Sequence, residues 1–217
     1  MTPVTLTFDN GPEPDVTPGV LDTLARLGVP ATFFVLGRKL ADPTCRKVAE
    51  RAAAEGHWIG NHTYSHGTPL GRLSDPKVPE DEIGRTQDLM GDLSHPDRLF
   101  RPFGGGGALG PHLLSGDVLR FLEAGAYTCV LWNVIPRDWD TETNAEWPER
   151  ALDLMQPLTW PLVVVHDLPT GAMAHLERFI ETARERGYEF RQDFPPDCVP
   201  LRRGQAVQDM SPFVTAA

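Results

Sequence analysis

The sequence predicts an α/β fold built on a parallel β-sheet. Seven short apolar runs alternate with segments in which apolar residues recur at helical spacing. No composition shift marks a linker, and 217 residues suit one domain with a large core. We expect this domain over residues 1–217, with a Pro-rich C-terminal tail from about residue 193 that lies over the surface or is disordered.

The strands are predicted from runs of aliphatic and aromatic residues bounded by polar residues, Gly or Pro. The helices between them are predicted from apolar spacing and from their end residues, such as an N-cap at Asp15 and a closing Gly28 for the first helix. The predicted strands are residues 4–8, 31–35, 58–61, 99–101, 127–134, 162–165 and 188–191. The predicted helices are residues 15–28, 44–55, a segment around 83–93, 115–124, 144–155 and 176–187.

The charge balance excludes several classes of partner. Twenty Lys and Arg against thirty Asp and Glu give a net charge of -10, which repels phosphate backbones and anionic membrane surfaces, so we expect no nucleic-acid or membrane partner. Cys45, Cys129 and Cys198 are odd in number and far apart, so we expect them reduced. The N-terminus lacks a basic stretch followed by an apolar one, and we expect a cytoplasmic protein. The oligomeric state is not predicted.

Polar residues follow the predicted strands repeatedly. They are Asp9, Asn61-His62, Arg101, Asp138 and His166-Asp167. In parallel sheets, sites lie at the carboxyl ends of the strands, so this recurrence predicts a functional site there.

His62 and His66 are four residues apart, a spacing that suits two ligands of one zinc-like ion. A pair of surface or supporting histidines fits the same spacing, and the absence of an HExxH pattern means that any base comes from elsewhere. Each of the other candidates has an ordinary structural explanation as well. Asp9 fits a turn between a strand and a helix, His166 fits a buried core residue with its hydrogen bonds made, and Arg101 fits a surface ion pair. None of these residues identifies a function singly.

Their order along the chain is more specific. The segments LTFDNGP, GNHTYSH, FRPFGGGG, WNVIPRDW and LVVVHD resemble the five motifs of the polysaccharide deacetylases, carbohydrate esterase family 4, over roughly three quarters of the chain. The resemblance implies a distorted (β/α)7 barrel and metal-assisted hydrolysis of an N-acetyl group from an amino sugar. It also implies a divalent metal, for which we expect zinc.

The resemblance assigns roles position by position. Asp9 corresponds to the general base, His166 to the general acid, Arg101 to the partner of the base and Asp138 to the carboxylate that orients the acid. The metal ligands correspond to His62, His66 and Asn10, and the substrate-binding positions to Phe103, Gly104, Trp132, Trp139 and Val164. We expect residues 104–107 to form a flexible rim that lets a substrate backbone approach closely, with Phe103, Trp132 and Trp139 as apolar walls.

Three positions depart from the family pattern. Asn10 stands where the family has an aspartate that binds the metal, so we expect weak or partial metal occupancy. Phe103 stands where a tyrosine is common, and Ile135 occupies the place of the first aspartate of the fourth motif.

These observations predict a hydrolase that removes an acetyl or similar acyl group from an amino sugar or a small N-acyl compound. Two alternatives remain open. One is a metal-poor or metal-independent amide hydrolase similar to the allantoinase branch of the family. The other is a non-catalytic carbohydrate-binding relative, against which the presence of both Asp9 and His166 argues.

Overall fold

The computed structural model describes residues 1–216 and shows helices packed around one mixed β-sheet. Its strands are β1 (Thr2–Asp9), β2 (Thr32–Val35), β3 (Trp58–Asn61), β4 (Leu99–Phe100), β5 (Thr128–Cys129), β6 (Leu162–His166), β7 (Tyr188–Arg191), β8 (Leu201–Arg202) and β9 (Gln205–Ala206). The order is β6-β1-β2-β3-β4-β5-β8-β9, with β7 also pairing with β1. Every pairing among β1 to β7 is parallel, which confirms the predicted fold class.

The α-helices are α1 (Thr17–Leu27), α2 (Gly37–Leu40), α3 (Pro43–Ala54), α4 (Arg85–Met90), α5 (Gly116–Ala124), α6 (Trp147–Met155) and α7 (Leu176–Glu185). Short 3₁₀ turns flank several of them, and a π-helical segment, Pro79–Gly84, leads directly into α4. Asp42 and Ser115 cap α3 and α5 by accepting hydrogen bonds from main-chain N–H groups. Asp15 does not cap α1 as predicted, because Val16 occupies the N-cap position, and the helix begins at Thr17 without a side-chain cap and with Pro18 in its first turn.

The strand ladder does not close into a barrel. One residue pair, Val134 with Val163, bridges the gap between β5 and β6. The predicted strand over residues 127–134 is correspondingly reduced to Thr128–Cys129. A C-terminal segment competes for this edge: Cys129 pairs with Leu201 of β8, and the main-chain N–H of Leu131 donates to the carbonyl oxygen of Cys198 at 2.7 Å.

The segment from residue 193 onward is therefore part of the packed structure over the residues described. Cys198 and Leu201 are buried in it. All three cysteines are free and buried. No helix among residues 1–216 is long and apolar enough to cross a membrane.

The core consists of two apolar clusters that the sheet brings together. One packs α1, α3, α6 and α7 against β1 and its neighbours, and the other packs α5 and the C-terminal segment against β4 and β5. β1 lies inside the sheet and its last six residues are buried, which agrees with a strand covered on both faces. This packing leaves the carboxyl ends of β1, β3, β4 and β6 at one edge of the sheet.

Candidate active site

Strand register brings the predicted acid and base together. β1 and β6 are parallel neighbours, and Asp9 is the register partner of His166. On the other side, Asn61 at the end of β3 pairs with Phe100 of β4, so His62 and Arg101 leave the sheet side by side. Side chains that are far apart in sequence thus meet at the strand ends, as the pattern of polar residues predicts.

Arg101 is fully buried and fixes the carboxylate of Asp9. Its Nη1 donates to Oδ1 of Asp9 at 2.8 Å and to Oγ1 of Thr7 at 2.7 Å, while its Nε and Nη2 donate to the carbonyl oxygens of Val130 and Leu131. Burial by itself raises the pKa of Asp9, but the charge of Arg101, aided by His62 and His166, outweighs it and lowers the pKa below its ordinary value. Asp9 is therefore ionised at neutral pH.

His62 presents one ring nitrogen to the pocket. Its Nδ1 lies 2.8 Å from the carbonyl oxygen of Arg101, which requires the proton on Nδ1 and leaves the lone pair on Nε2. Nε2 lies 3.5 Å from Oδ2 of Asp9. The rings of His62 and His66 have centroids 5.0 Å apart, and the ring of His66 also contacts Phe103. Burial lowers the pKa of His62 below its ordinary value and that of His66 to about 3, so both imidazoles are neutral.

His166 is held by Asp138 through two hydrogen bonds. Nδ1 of His166 lies 2.9 Å from Oδ1 of Asp138, and its main-chain N–H donates to Oδ2 at 2.7 Å. Burial by itself lowers the pKa of His166, but the charge and hydrogen bond of fully buried Asp138 raise it above its ordinary value. Trp139 packs edge-on against the imidazole with a centroid distance of 5.0 Å. The site therefore combines an ionised carboxylate with a readily protonated imidazole, a pairing suited to general acid–base chemistry.

These groups line one cavity of about 210 Å³. Its walls contain ten of the predicted site residues: Asp9, Asn10, His62, His66, Phe103, Gly104, Trp132, Trp139, Val164 and His166. Pro102, Ile135 and residues 105–107 complete the walls. The two remaining predicted residues, Arg101 and Asp138, lie behind the wall, where they contact Asp9 and His166.

The glycine rim is anchored at both ends. Nε1 of Trp132 donates to the carbonyl oxygen of Gly107 at 2.8 Å, and Nε2 of His112 lies 3.1 Å from the carbonyl oxygen of Gly104. Residues 105–107 all have φ between +60° and +104°, which glycine adopts without strain. A Cβ on Gly104 would lie 2.6 Å from the ring of Trp132, so glycine lets the rim backbone rest on that wall.

Known proteins are similar to this chain over most of its length. The family profile of the polysaccharide deacetylases matches residues 2–108. A chitooligosaccharide deacetylase of Rhizobium leguminosarum bv. phaseoli is 36% identical over 167 residues, covering 75% of this chain and 66% of that protein. A chitooligosaccharide deacetylase of Sinorhizobium fredii is 30% identical over 203 residues, covering 87% of this chain and 88% of that protein. The chain belongs to the polysaccharide deacetylase family.

The fold agrees with the same family. A family 4 acetyl xylan esterase from Clostridium thermocellum, solved in complex with a cobalt ion, superposes with a TM-score of 0.70 at 28% identity and covers 88% of this chain and 87% of that one. The chain thus spans about two thirds of the length of the Rhizobium leguminosarum protein and most of this solved structure.

Within the polysaccharide deacetylase family, Asn10 is the most consequential departure. It follows Asp9 with a φ of +74°, a left-handed conformation that asparagine tolerates. Its Oδ1 is buried in the pocket wall without a hydrogen-bond partner among the described residues. A buried acceptor without a partner is costly, which indicates that this oxygen is placed to meet a ligand.

Two supporting residues, Thr7 and Glu82, were not predicted from the sequence. Thr7, two residues before Asp9 on β1, accepts a hydrogen bond from Arg101 and donates to the carbonyl oxygen of Val163 at 2.9 Å. Glu82 accepts hydrogen bonds from the turn between His62 and His66. Nothing in the local sequence indicates either role, because each depends on a contact between distant segments.

Proposed function

We propose that this protein hydrolyses the N-acetyl group of an amino sugar or a related small N-acyl compound. The observation that carries the proposal is the pairing of Asp9 with His166 across adjacent strands, with opposite shifts in pKa. Amide hydrolysis needs a base for the attacking water and an acid for the leaving nitrogen, and these two groups meet both needs at one pH.

The residues present fit a divalent cation in part. His62 and His66 are neutral and line the same cavity, and the buried Oδ1 of Asn10 has no partner among the described residues. Two imidazole nitrogens and one oxygen are ligand atoms that divalent ions such as zinc accept in proteins. The set has one anionic ligand fewer than the family pattern, because an amide replaces a carboxylate. No group of three or more His, Cys, Asp or Glu suited to a metal occurs among residues 1–216. Zinc, weakly held, remains our proposal for the ion.

The chemistry divides among the side chains as follows. A divalent ion bound by His62, His66 and Asn10 would polarise the acyl carbonyl and the attacking water. Asp9 accepts the proton of that water, and Arg101 keeps its carboxylate in place. His166 donates its Nε2 proton to the nitrogen as the carbon–nitrogen bond breaks, because Nδ1 is occupied by Asp138. Main-chain N–H groups near Phe103 complete the stabilisation of the oxyanion.

The cavity supports a substrate with a small acyl group on a ring. Trp132, Trp139 and Ile135 offer apolar surface, and Val164 lies in the wall beside His166. Apolar walls with a few convergent polar groups are typical of sites that orient a small molecule or one sugar unit. Charged groups in the lining are confined to Asp9 and the histidines, so a neutral N-acetyl sugar suits this cavity better than an anionic one.

The test is release of acetate from a panel of N-acetylated sugars, with Asp9→Asn and His166→Ala as variants. We expect each variant to lose about 10²- to 10⁴-fold in rate while retaining the wild-type circular dichroism spectrum. Near-full turnover by either variant would show that the base or acid is assigned wrongly. Sugar binding by the wild type without acetate release would instead indicate the non-catalytic relative.

A further inference from the structure

The turn that joins His62 to His66 has an unfavourable backbone conformation. Thr63 has a φ of +70° and His66 a φ of +52°, in the left-handed region. Threonine is β-branched and rarely adopts this region. Such a conformation persists where contacts over-determine the backbone. One contact is internal, from the N–H of His66 to Oγ1 of Thr63 at 3.2 Å, and the others come from outside the turn.

Glu82 supplies two of these contacts, and the N–H groups of Gly37 and Arg38 supply two others by donating to the carbonyl oxygens of Thr63 and Tyr64. Oε2 of Glu82 accepts hydrogen bonds from the main-chain N–H groups of Tyr64 and Ser65, at 3.0 and 2.9 Å. Two successive N–H groups that converge on one carboxylate oxygen form charge-assisted hydrogen bonds, stronger than those between neutral groups. Tyr64 and Ser65 lie between the two histidines, so these bonds set how the two rings face each other.

The segment around Glu82 also holds the start of the turn. Glu82 belongs to the π-helical segment Pro79–Gly84, and such turns occur frequently at functional sites. The carbonyl oxygen of the next residue, Ile83, accepts from Nδ2 of Asn61 at 2.9 Å. Oδ1 of Asn61 in turn accepts from the main-chain N–H of Thr63 at 3.0 Å. This short segment therefore holds the N–H groups of Tyr64 and Ser65 directly, and that of Thr63 through the side chain of Asn61.

We propose that Glu82 is a positioning residue that sets the geometry and the cation affinity of the His62–His66 pair. The part concerning the cation rests on the proposed function. Residues that orient metal ligands without touching the ion typically contribute 10- to 100-fold in affinity. Glu82 differs from the usual case because it holds the main chain between two ligands and not a ligand ring.

The experiment is a titration with Co²⁺ followed by its visible absorption, which reports the arrangement of the ligands. Glu82→Ala removes both hydrogen bonds, and we expect it to weaken cobalt binding by about 10- to 100-fold and to alter the spectrum. Glu82→Gln retains an acceptor oxygen of the same reach, so we expect it to recover most of the affinity and the wild-type spectrum. Glu80→Ala is the matched control, because Glu80 is exposed on the same segment and does not bond to the turn among the described contacts.

A role in folding alone would leave these readouts unchanged. Cobalt affinity and spectrum equal to wild type in a folded Glu82→Ala protein would overturn the proposal. If Glu82→Ala fails to fold, Glu82→Asp carries the test, since it keeps the charge but is one methylene shorter. Weakened affinity with an altered spectrum in that variant supports the proposal, and wild-type values refute it.

Amide exchange separates this inference from the proposed function. If the wild type binds no cobalt, the proposed metal dependence is wrong. Hydrogen exchange at the amides of Tyr64 and Ser65 still tests whether Glu82 positions the turn. We expect these two amides to exchange at least about tenfold faster in Glu82→Ala, with shifted imidazole resonances of His62 and His66. Unchanged exchange and unchanged resonances would refute the positioning role whether or not a metal binds.

Discussion

Replacing Asn10 by aspartate tests how the charge of the pocket controls cation binding. In the structure, the charge of Asp9 is balanced by Arg101, and that of protonated His166 by Asp138. His62 and His66 are neutral. A divalent cation therefore enters a buried pocket in which neither of its two positive charges is balanced, and Asn10→Asp would balance one of them.

The size of the effect follows from this balance. A divalent cation and one negative charge about 4 Å apart attract by ~8 kcal/mol at an effective dielectric constant of 20. Most of this gain is offset, because the carboxylate loses its hydration in the pocket and because it replaces an amide oxygen that already attracts the cation through its dipole. We expect a net gain of about 10- to 100-fold in affinity, or ~1.4 to 2.8 kcal/mol. Without metal, the new carboxylate lies beside Asp9, so we expect the apoprotein to be less stable than wild type.

Isothermal titration of Zn²⁺ or Co²⁺ into both proteins measures this gain, and thermal unfolding with and without metal measures the loss of stability in the apoprotein. Gln205→Glu is the matched control, because it adds the same charge on exposed β9. Equal affinities for the Asn10→Asp variant and wild type would show that position 10 does not face the cation. Binding by neither protein would favour the metal-independent alternative.

Three further predictions follow from the described contacts. Asp138→Asn removes the charge that raises the pKa of His166, so the basic limb of the pH profile of kcat/KM should move to lower pH. Burial raises the pKa of Asp167 to about 7. Between about pH 4 and pH 7, Asp167 therefore keeps its proton in the native protein but releases it in the unfolded chain. In this range the free energy of unfolding should rise as pH falls, by ~1.4 kcal/mol per pH unit. Urea unfolding at pH 5 and pH 8 checks this, and Asp167→Asn should remove that contribution; an unchanged pH dependence would contradict the assignment. Trp132→Phe removes the hydrogen bond to Gly107, worth ~0.5 to 1.5 kcal/mol, and should raise KM about 2- to 12-fold with little change in kcat. A change in kcat alone would show that the rim does not contribute to substrate binding.

For six of the seven predicted strands, the sequence alone determined the carboxyl end to within one residue. Trp58–Asn61 and Tyr188–Arg191 have the predicted bounds, and β6 extends the predicted strand by one residue. These predictions succeed because the burial of a strand produces an alternating or continuous apolar pattern, which can be recognised within a few neighbouring residues. The order of the five motifs added the identity of the acid, the base and the two histidines as a hypothesis.

The largest failure has a tertiary cause. The run over residues 127–134 reads as a strand, yet most of it leaves the ladder. The N–H of Leu131 donates to the carbonyl oxygen of Cys198, and the carbonyl oxygens of Val130 and Leu131 accept from the side chain of Arg101. Strand propensity depends on local sequence, and it does not predict which distant segment will supply the hydrogen-bond partners of a strand. The barrel expected from the family stays open at the same place, between β5 and β6.

Tertiary structure alone decided how the site is assembled. The placement of β1 between β6 and β2 makes Asp9 the neighbour of His166, and the entry of Arg101 from β4 ties Asp9 to Thr7. Glu82 reaches the histidine turn from a π-helical segment that its own sequence does not distinguish from an ordinary helix. These contacts form only when elements far apart in the chain pack together. The pKa shifts of the site and the unfavourable backbone of the turn depend on burial and hydrogen bonds that such distant residues supply, so a local stretch of sequence does not determine them.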